Sequence, residues 1–192
     1  MTEVVGAVLA GGASRRMGRD KAVMDVGGRL LVERAVGVLG ACVDRVVLLG
    51  GSTEAVECAQ RLGVDVVPDR CPGEGPLVAV VDAVEAVGDL MVVAVDMVGV
   101  DPAMVAAVIA AGAGADVAVA SSVGRRQPAF ARWNSSVCGT ARAMVDAGDR
   151  SLVGVLDRDE VAVVEVPVGD GAGVNLNSPD DVAAFMAAHH DG

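Results

Sequence analysis

Aromatic residues are nearly missing from this chain: one Trp, two Phe and no Tyr among 192 residues. Its core must therefore come from small aliphatic side chains, and the 53% hydrophobic fraction is mostly Val and Ala. Valine-rich runs broken by Ala-rich helical stretches suit a parallel sheet covered by helices. Positive charge is also short. A net charge of −11 argues against a protein that coats nucleic acid or an anionic membrane. A local basic cluster can still hold an anionic ligand. The two histidines, His189 and His190, are adjacent near the C-terminus. The four cysteines, Cys42, Cys58, Cys71 and Cys138, form no CxxC pair, so the sequence argues against a zinc site and reads as that of a reduced, cytoplasmic protein. No apolar run reaches membrane-span length without Gly or charge interrupting it. The start, MTEVVGAVLAGG, has an acidic residue before its apolar run, the reverse of a secretory signal. The length fits a single domain over residues 1–192.

The hydrophobic pattern predicts alternating elements. Strands are expected over 4–10, 45–50, 64–68, 90–96, 116–122, 128–133 and 161–167. Helices are expected over 29–41, 53–63, 75–88, 101–112, 134–147, 151–157 and 178–190. Asp101-Pro102 and Ser178-Pro179 read as helix starts, a capping side chain followed by proline at the first position. The alternation implies an α/β fold with a single, mainly parallel, doubly wound sheet. Ligands of such sheets sit at the carboxyl ends of the strands. Four segments fall there: 9–21, 68–77, Asp96 and 170–178.

The first of these reads LAGGASRRMGRDK. It contains neither a P-loop nor a GxGxxG fingerprint. Its glycines after the first strand would still let backbone approach a base or phosphate closely. Lys21 is the one lysine in a chain with fourteen arginines. A compact ammonium suits a place between phosphates where a planar guanidinium does not fit. On composition alone, a solvated basic loop and a phosphate contact explain Lys21 equally well. Asp96 ends an apolar strand and is either a metal ligand or an ordinary turn residue. Arg126 and Gln127 precede the expected strand at 128, as surface loop or as acceptor contact. Arg150-Ser151 is either a helix start or a phosphate contact. Asn175 and Asn177 alternate, which points both to one face of an extended segment.

These residues resemble the molybdenum cofactor guanylyltransferase family, the MobA-like NTP transferases. LAGGASRRMGRDK is similar to that family's LAGGxSxRMGxDK signature. PDRCPGEGPL (68–77), VAVDMVGV (93–100), QPAFARW (127–133) and NLNSPDD (175–181) resemble further family segments in the same order. The run after Asp96 departs from the family pattern, reading DMVGVDP in place of DMP. The resemblance implies a Rossmann-like nucleotidyltransferase that couples GTP to the terminal phosphate of molybdopterin cofactor and releases pyrophosphate. It implies that Leu9, Ala10 and Gly11 contact the guanine through backbone groups, that Gly12 belongs to the same nucleotide site and that Asp69 lies by the nucleoside. Arg16 and Lys21 would take the triphosphate, and Asp96 would hold Mg²⁺. Asn175 and Asn177 would line the same pocket, near the metal or the acceptor, and Gln127 would lie on the acceptor side. GTP and molybdopterin are the implied partners, with molybdoenzyme maturation proteins as further candidates. A CTP-using relative, another small-acceptor nucleotidyltransferase and a noncatalytic cofactor-binding protein remain alternatives at this point. The acceptor is already an ionised phosphate, so the chemistry needs no general base.

Overall fold

The computed structural model of the chain describes residues 3–10, 20–68 and 73–188, except the side chains of residues 179 and 188. Valine runs become strands β1 (Val5–Leu9), β2 (Val46–Leu49), β3 (Asp65–Val67), β4 (Leu90–Ala94), β5 (Val117–Ser122), β6 (Arg125–Trp133) and β7 (Val163–Pro167). Between them lie α1 (Leu31–Gly40), α2 (Thr53–Arg61), α3 (Pro76–Val87), α4 (Pro102–Ala111), α5 (Cys138–Asp146), α6 (Leu152–Leu156) and α7 (Pro179–Ala188). The strands form one sheet in the order β3-β2-β1-β4-β6-β5-β7. Only β6 runs antiparallel to its neighbours, so the expected mainly parallel α/β architecture holds.

Both faces of this sheet are buried, which is why its strands are continuously apolar rather than alternating. Val5, Ala7 and Leu9 of β1 and Leu90 and Val92 of β4 pack with α3, α5 and α6. Val8, Met91 and Val93 point the other way, into a core shared with α1, α2 and α4. The two largest side chains divide between the layers, Trp133 on the first face and Phe130 on the second. Burying each such apolar side chain contributes roughly 1.5–3 kcal/mol. Local chemistry starts the helices where the sequence indicates. Ser52 Oγ accepts the Ala55 N–H at 3.3 Å and Asp101 Oδ1 accepts that of Met104 at 2.9 Å, with Pro102 at the first position. No helix among the described residues is long and apolar enough to cross a membrane.

Two elements differ from expectation. Strand β6 starts at Arg125, so Arg126 and Gln127 lie inside it rather than before it. The expected helix 134–147 is a 3-10 turn over Ser135–Val137 followed by α5. Asn134 looks like a helix cap, but its Oδ1, the acceptor a cap would use, takes the Arg132 Nε–H at 2.7 Å, while its amide donates to the Gly112 and Ala115 carbonyls at 2.8 and 2.6 Å.

The β5–β6 hairpin turns through two residues with positive φ, Val123 at 50° and Gly124 at 68°. Such a turn suits Asn-Gly or Gly-Gly. A β-branched residue there is strained, at a cost of about 1–3 kcal/mol.

Candidate active site

The register aligns the carboxyl ends of the central strands: Leu9 lies beside both Leu49 and Ala94, and Leu49 beside Val67. Everything that follows β1 and β4 therefore emerges at one edge. Leu9 is buried, and its carbonyl accepts the Val95 N–H at 3.1 Å. The Ala10 N–H donates to the Leu49 carbonyl at 3.1 Å. These bonds fix the backbone up to Ala10. Gly11, Gly12, Arg16 and Asp69 lie outside the described residues, as do Arg15, Arg19, Cys71, His189 and His190.

Lys21 opens a 3-10 turn, Lys21–Val23, that is anchored on both sides. Asp20 accepts the Ala22 N–H through Oδ1 at 2.9 Å and the Ser52 N–H through Oδ2 at 3.1 Å. Ala22 is fully buried in the core. The turn thus ties the lysine to the start of α2. From there the Lys21 ammonium donates to Asp96 Oδ2 at 2.7 Å and to Asn177 Oδ1 at 3.1 Å. These three groups come from positions 21, 96 and 177, and the fold alone brings them together.

The segment carrying the asparagines is stitched to the loop after β4. Asn175 bridges Met97, and the Leu176 N–H donates to the Asp96 carbonyl at 3.1 Å. Leu176 is buried between them. Asn177 is held from below. Asp181 Oδ2 accepts the N–H of Asn177 at 2.7 Å and of Ser178 at 2.8 Å, and Ser178 Oγ accepts the Asp181 N–H at 3.2 Å. The Asn177 amide holds the Asp181 carboxyl below the usual carboxylate range, helped by Ser178 and by the positive field of Lys21. Sequence reasoning passed over Asp20 and Asp181. The Ser-x-x-Asp spacing of 178–181 was the available signal for the second.

The departure at DMVGVDP has a steric reason. A Cβ on Gly99 would lie 2.1 Å from the Gly171 carbonyl oxygen, and one on Gly171 would lie 2.7 Å from that of Gly99. The loop after Asp96 and the loop before Asn175 meet backbone to backbone. The shape of the Asp96 loop is set by that contact.

Other candidate residues separate into two groups. Arg126 is committed to structure, pairing with Asp157 and Glu165 and donating to the Leu156 carbonyl. Arg150 pairs with Glu74 at 2.6 Å, and Ser151 caps α6. Gln127 sits on β6 opposite Ala120, at the carboxyl end of β5, and among the described residues no hydrogen bond joins it to Lys21, Asp96 or Asn177. Helix α3 begins after Gly75 with no side-chain cap, leaving first-turn N–H groups suited to an anion.

The donor set fits a hard cation. Asp96 offers a carboxylate and Asn177 an amide oxygen, and both already face one positive charge. Among the described residues, Asn175 Oδ1 is buried and has no hydrogen-bond partner, which leaves an acceptor open beside Asp96 and Asn177. No group of three His, Cys, Asp or Glu among the described residues is placed to cage a metal ion. Mg²⁺ needs no such cage, since it commonly binds one or two carboxylates together with substrate phosphates and water.

Comparison with known proteins identifies the family and agrees with the fold. The family model of the MobA-like NTP transferase domain matches residues 6–162. The protein named "Probable molybdenum cofactor guanylyltransferase" in Pelotomaculum thermopropionicum is 38% identical over 136 residues, 70% of this chain and 65% of the relative. A molybdenum cofactor guanylyltransferase of Cereibacter sphaeroides is 36% identical over 184 residues, 93% of each chain. Among solved structures, molybdopterin-guanine dinucleotide biosynthesis protein A from Archaeoglobus fulgidus superposes with a TM-score of 0.82 at 22% identity, covering 98% of this chain and all of that one.

Proposed function

The chain belongs to the MobA-like NTP transferase family, and from that premise we propose that it transfers GMP from GTP to the terminal phosphate of molybdopterin cofactor, releasing pyrophosphate in a Mg²⁺-dependent reaction. Nucleotidyl transfer to a small acceptor is the family's chemistry. The observation that carries the assignment is the Lys21 ammonium held between the Asp96 carboxylate and the Asn177 amide oxygen at the ligand edge of the sheet.

In this reading an oxygen of the acceptor phosphate attacks the α-phosphorus of GTP. The bond from that phosphorus to the α,β-bridging oxygen breaks, and pyrophosphate leaves with the electron pair. Both substrates are ionised phosphates, so no side chain has to remove a proton. The work of the protein is positioning and charge compensation. Lys21 and Arg16 draw the triphosphate in, with Lys21 exchanging its carboxylate partner for phosphate oxygens. Leu9, Ala10, Gly11 and Gly12 receive the base, and Asp69 the nucleoside. Asp96 would hold Mg²⁺, with the orphaned Asn175 oxygen as a further donor. When bound, that ion neutralises charge developing on the phosphate oxygens. Gln127, Asn175 and Asn177 line the acceptor side.

The test is pyrophosphate release and covalent product formation with Mg²⁺, molybdopterin and each of GTP and CTP. Turnover with GTP joined to the pterin supports the proposal. Turnover with CTP alone replaces guanylyl by cytidylyl transfer. Orthophosphate in place of pyrophosphate makes the protein a hydrolase. No turnover, together with a thermal shift on adding nucleotide, leaves a noncatalytic carrier.

A further inference from the structure

The hairpin tip between β5 and β6 combines three features that the fold does not reward. Val123 is strained, apolar and 76% exposed. An Asn at that place would relax the turn, and nothing packs on the valine in return. Arg125 follows at the base of the same turn, exposed and, among the described residues, without an ion-pair partner. Its neighbour Arg126 is fully engaged on the opposite face of β6. The sequence offered both arginines together, and the structure leaves Arg125 as the free one.

Position gives these features a meaning. Ser122 lies opposite Arg125 in the ladder, so the two share a face. Ser122 Oγ donates toward the carbonyls of Gly169 and Asp170, and the Cβ position of Gly173 lies 3.4 Å from it. The tip is therefore seated on the very loop that ends in Asn175 and Asn177. Val174, on that loop, is also exposed. From Gly173 to Leu176, whose N–H holds the Asp96 carbonyl, is three residues, a span of at most about 10 Å. In the sheet, β1 lies on one side of β4, the strand that leads to Asp96, and the β6–β5 hairpin on the other. In-line transfer needs the attacking acceptor oxygen and the departing pyrophosphate on opposite sides of the α-phosphorus. Lys21, which takes the triphosphate in the reading above, comes from a turn tied to the start of α2 on the β1–β2 side, so the acceptor enters from the side of β6 and β5.

We propose that Val123 and Arg125 hold the distal end of the acceptor, a flat, polar-edged heterocycle, with the valine against its face and the guanidinium on its edge or anionic substituents. This rests on the acceptor assignment made above. The valine is kept in a turn that disfavours it because it contacts the ligand. Arg125 supplies planar donors where its neighbour Arg126 is already paired.

The experiment compares wild type, Val123→Asn and Arg125→Ala by direct binding of molybdopterin, by KM for molybdopterin and for GTP, and by thermal melting. Losing one charge-assisted contact raises the molybdopterin Kd and KM roughly tenfold for Arg125→Ala. Val123→Asn raises the melting temperature yet weakens molybdopterin binding, while the KM for GTP stays unchanged in both variants. A merely structural valine gives the higher melting temperature with molybdopterin binding intact, and that result, with Arg125→Ala also binding normally, overturns the proposal. If wild type binds molybdopterin but does not use GTP, the donor assignment falls, and the variants still decide the role of the hairpin by binding alone. If wild type does not bind molybdopterin, the acceptor assignment and the hairpin proposal are both overturned.

Discussion

Strand β4 is flanked by two aspartates, Asp89 before it and Asp96 after it, and they live in opposite circumstances. Asp89 is buried at the amino end of the strand and fully occupied. Its Oδ1 accepts the Ser135 N–H at 2.8 Å and hydroxyl at 2.9 Å, and its Oδ2 meets Arg132 at 3.3 Å. Arg132 in turn donates to Asn134 and to the Ile109 carbonyl. Among the described residues Asp96 has one side-chain partner, Lys21, and beside its loop an asparagine oxygen is buried with none. A saturated polar network holds a fold together, whereas an unsaturated one leaves acceptors open to a ligand.

Substitution breaks the comparison most sharply. Removing the Asp89 carboxylate strands a buried guanidinium, so Asp89→Ala should lose about 3–5 kcal/mol of stability in urea unfolding. Its activity should fall only with the folded fraction. Asp96→Ala should reverse this pattern. Transfer should drop about 10²–10³-fold, the scale of losing one charge-stabilising group in a catalytic site. Its unfolding midpoint should barely move, because Asp96 is partly exposed and paired to one flexible side chain. Equal losses of stability at the two aspartates would erase the distinction.

A subtler consequence concerns Lys21. In the free protein its ammonium stands where a divalent cation would share Asp96 and Asn177. Lys21→Met should therefore abolish transfer yet tighten the binding of Mn²⁺ in the absence of nucleotide, read by its electron paramagnetic resonance signal. Weaker Mn²⁺ binding in that variant would show that the lysine and the ion do not compete.

The smallest effect is expected at Asp181. Its carboxyl titrates below the usual range because the Asn177 N–H, Ser178 and Lys21 favour the charged form. The resulting stabilisation is present above the ordinary carboxylate pKa and is lost as pH falls through the depressed value. Wild type and Asp181→Asn should differ slightly in unfolding midpoint at neutral pH and converge in acid. A gap that persists in acid would assign the difference to packing rather than charge.

Much of this was legible before any coordinates. Asp101-Pro102 announced α4, and the valine runs announced the parallel strands, because capping and burial are written locally. The direction of β6 was not, since strand orientation depends on partners distant in sequence. Its start at Arg125 was hidden because two arginines read as loop, although one pairs across the sheet and the other faces solvent. The 3-10 turn after Asn134 escaped notice for the same reason: the fold spends that side chain on carbonyls about twenty residues away. At the site, Lys21, Asp96, Asn175 and Asn177 were recognisable by motif. That Asn175 is orphaned and that Arg125 rather than Arg126 is free are tertiary facts with no local signature.

The contact between Gly99 and Gly171 welds the loop of the acidic residue to the loop of the asparagines. Neither glycine can drift even to alanine without prising the two apart. The site thus has one stiff jaw, whose spacing is set by peptide planes rather than by side-chain rotamers. In the proposed reaction, the movement that admits two phosphorylated substrates falls on the lysine's side, because a side chain at either glycine meets a backbone carbonyl that no substitution at the other position removes.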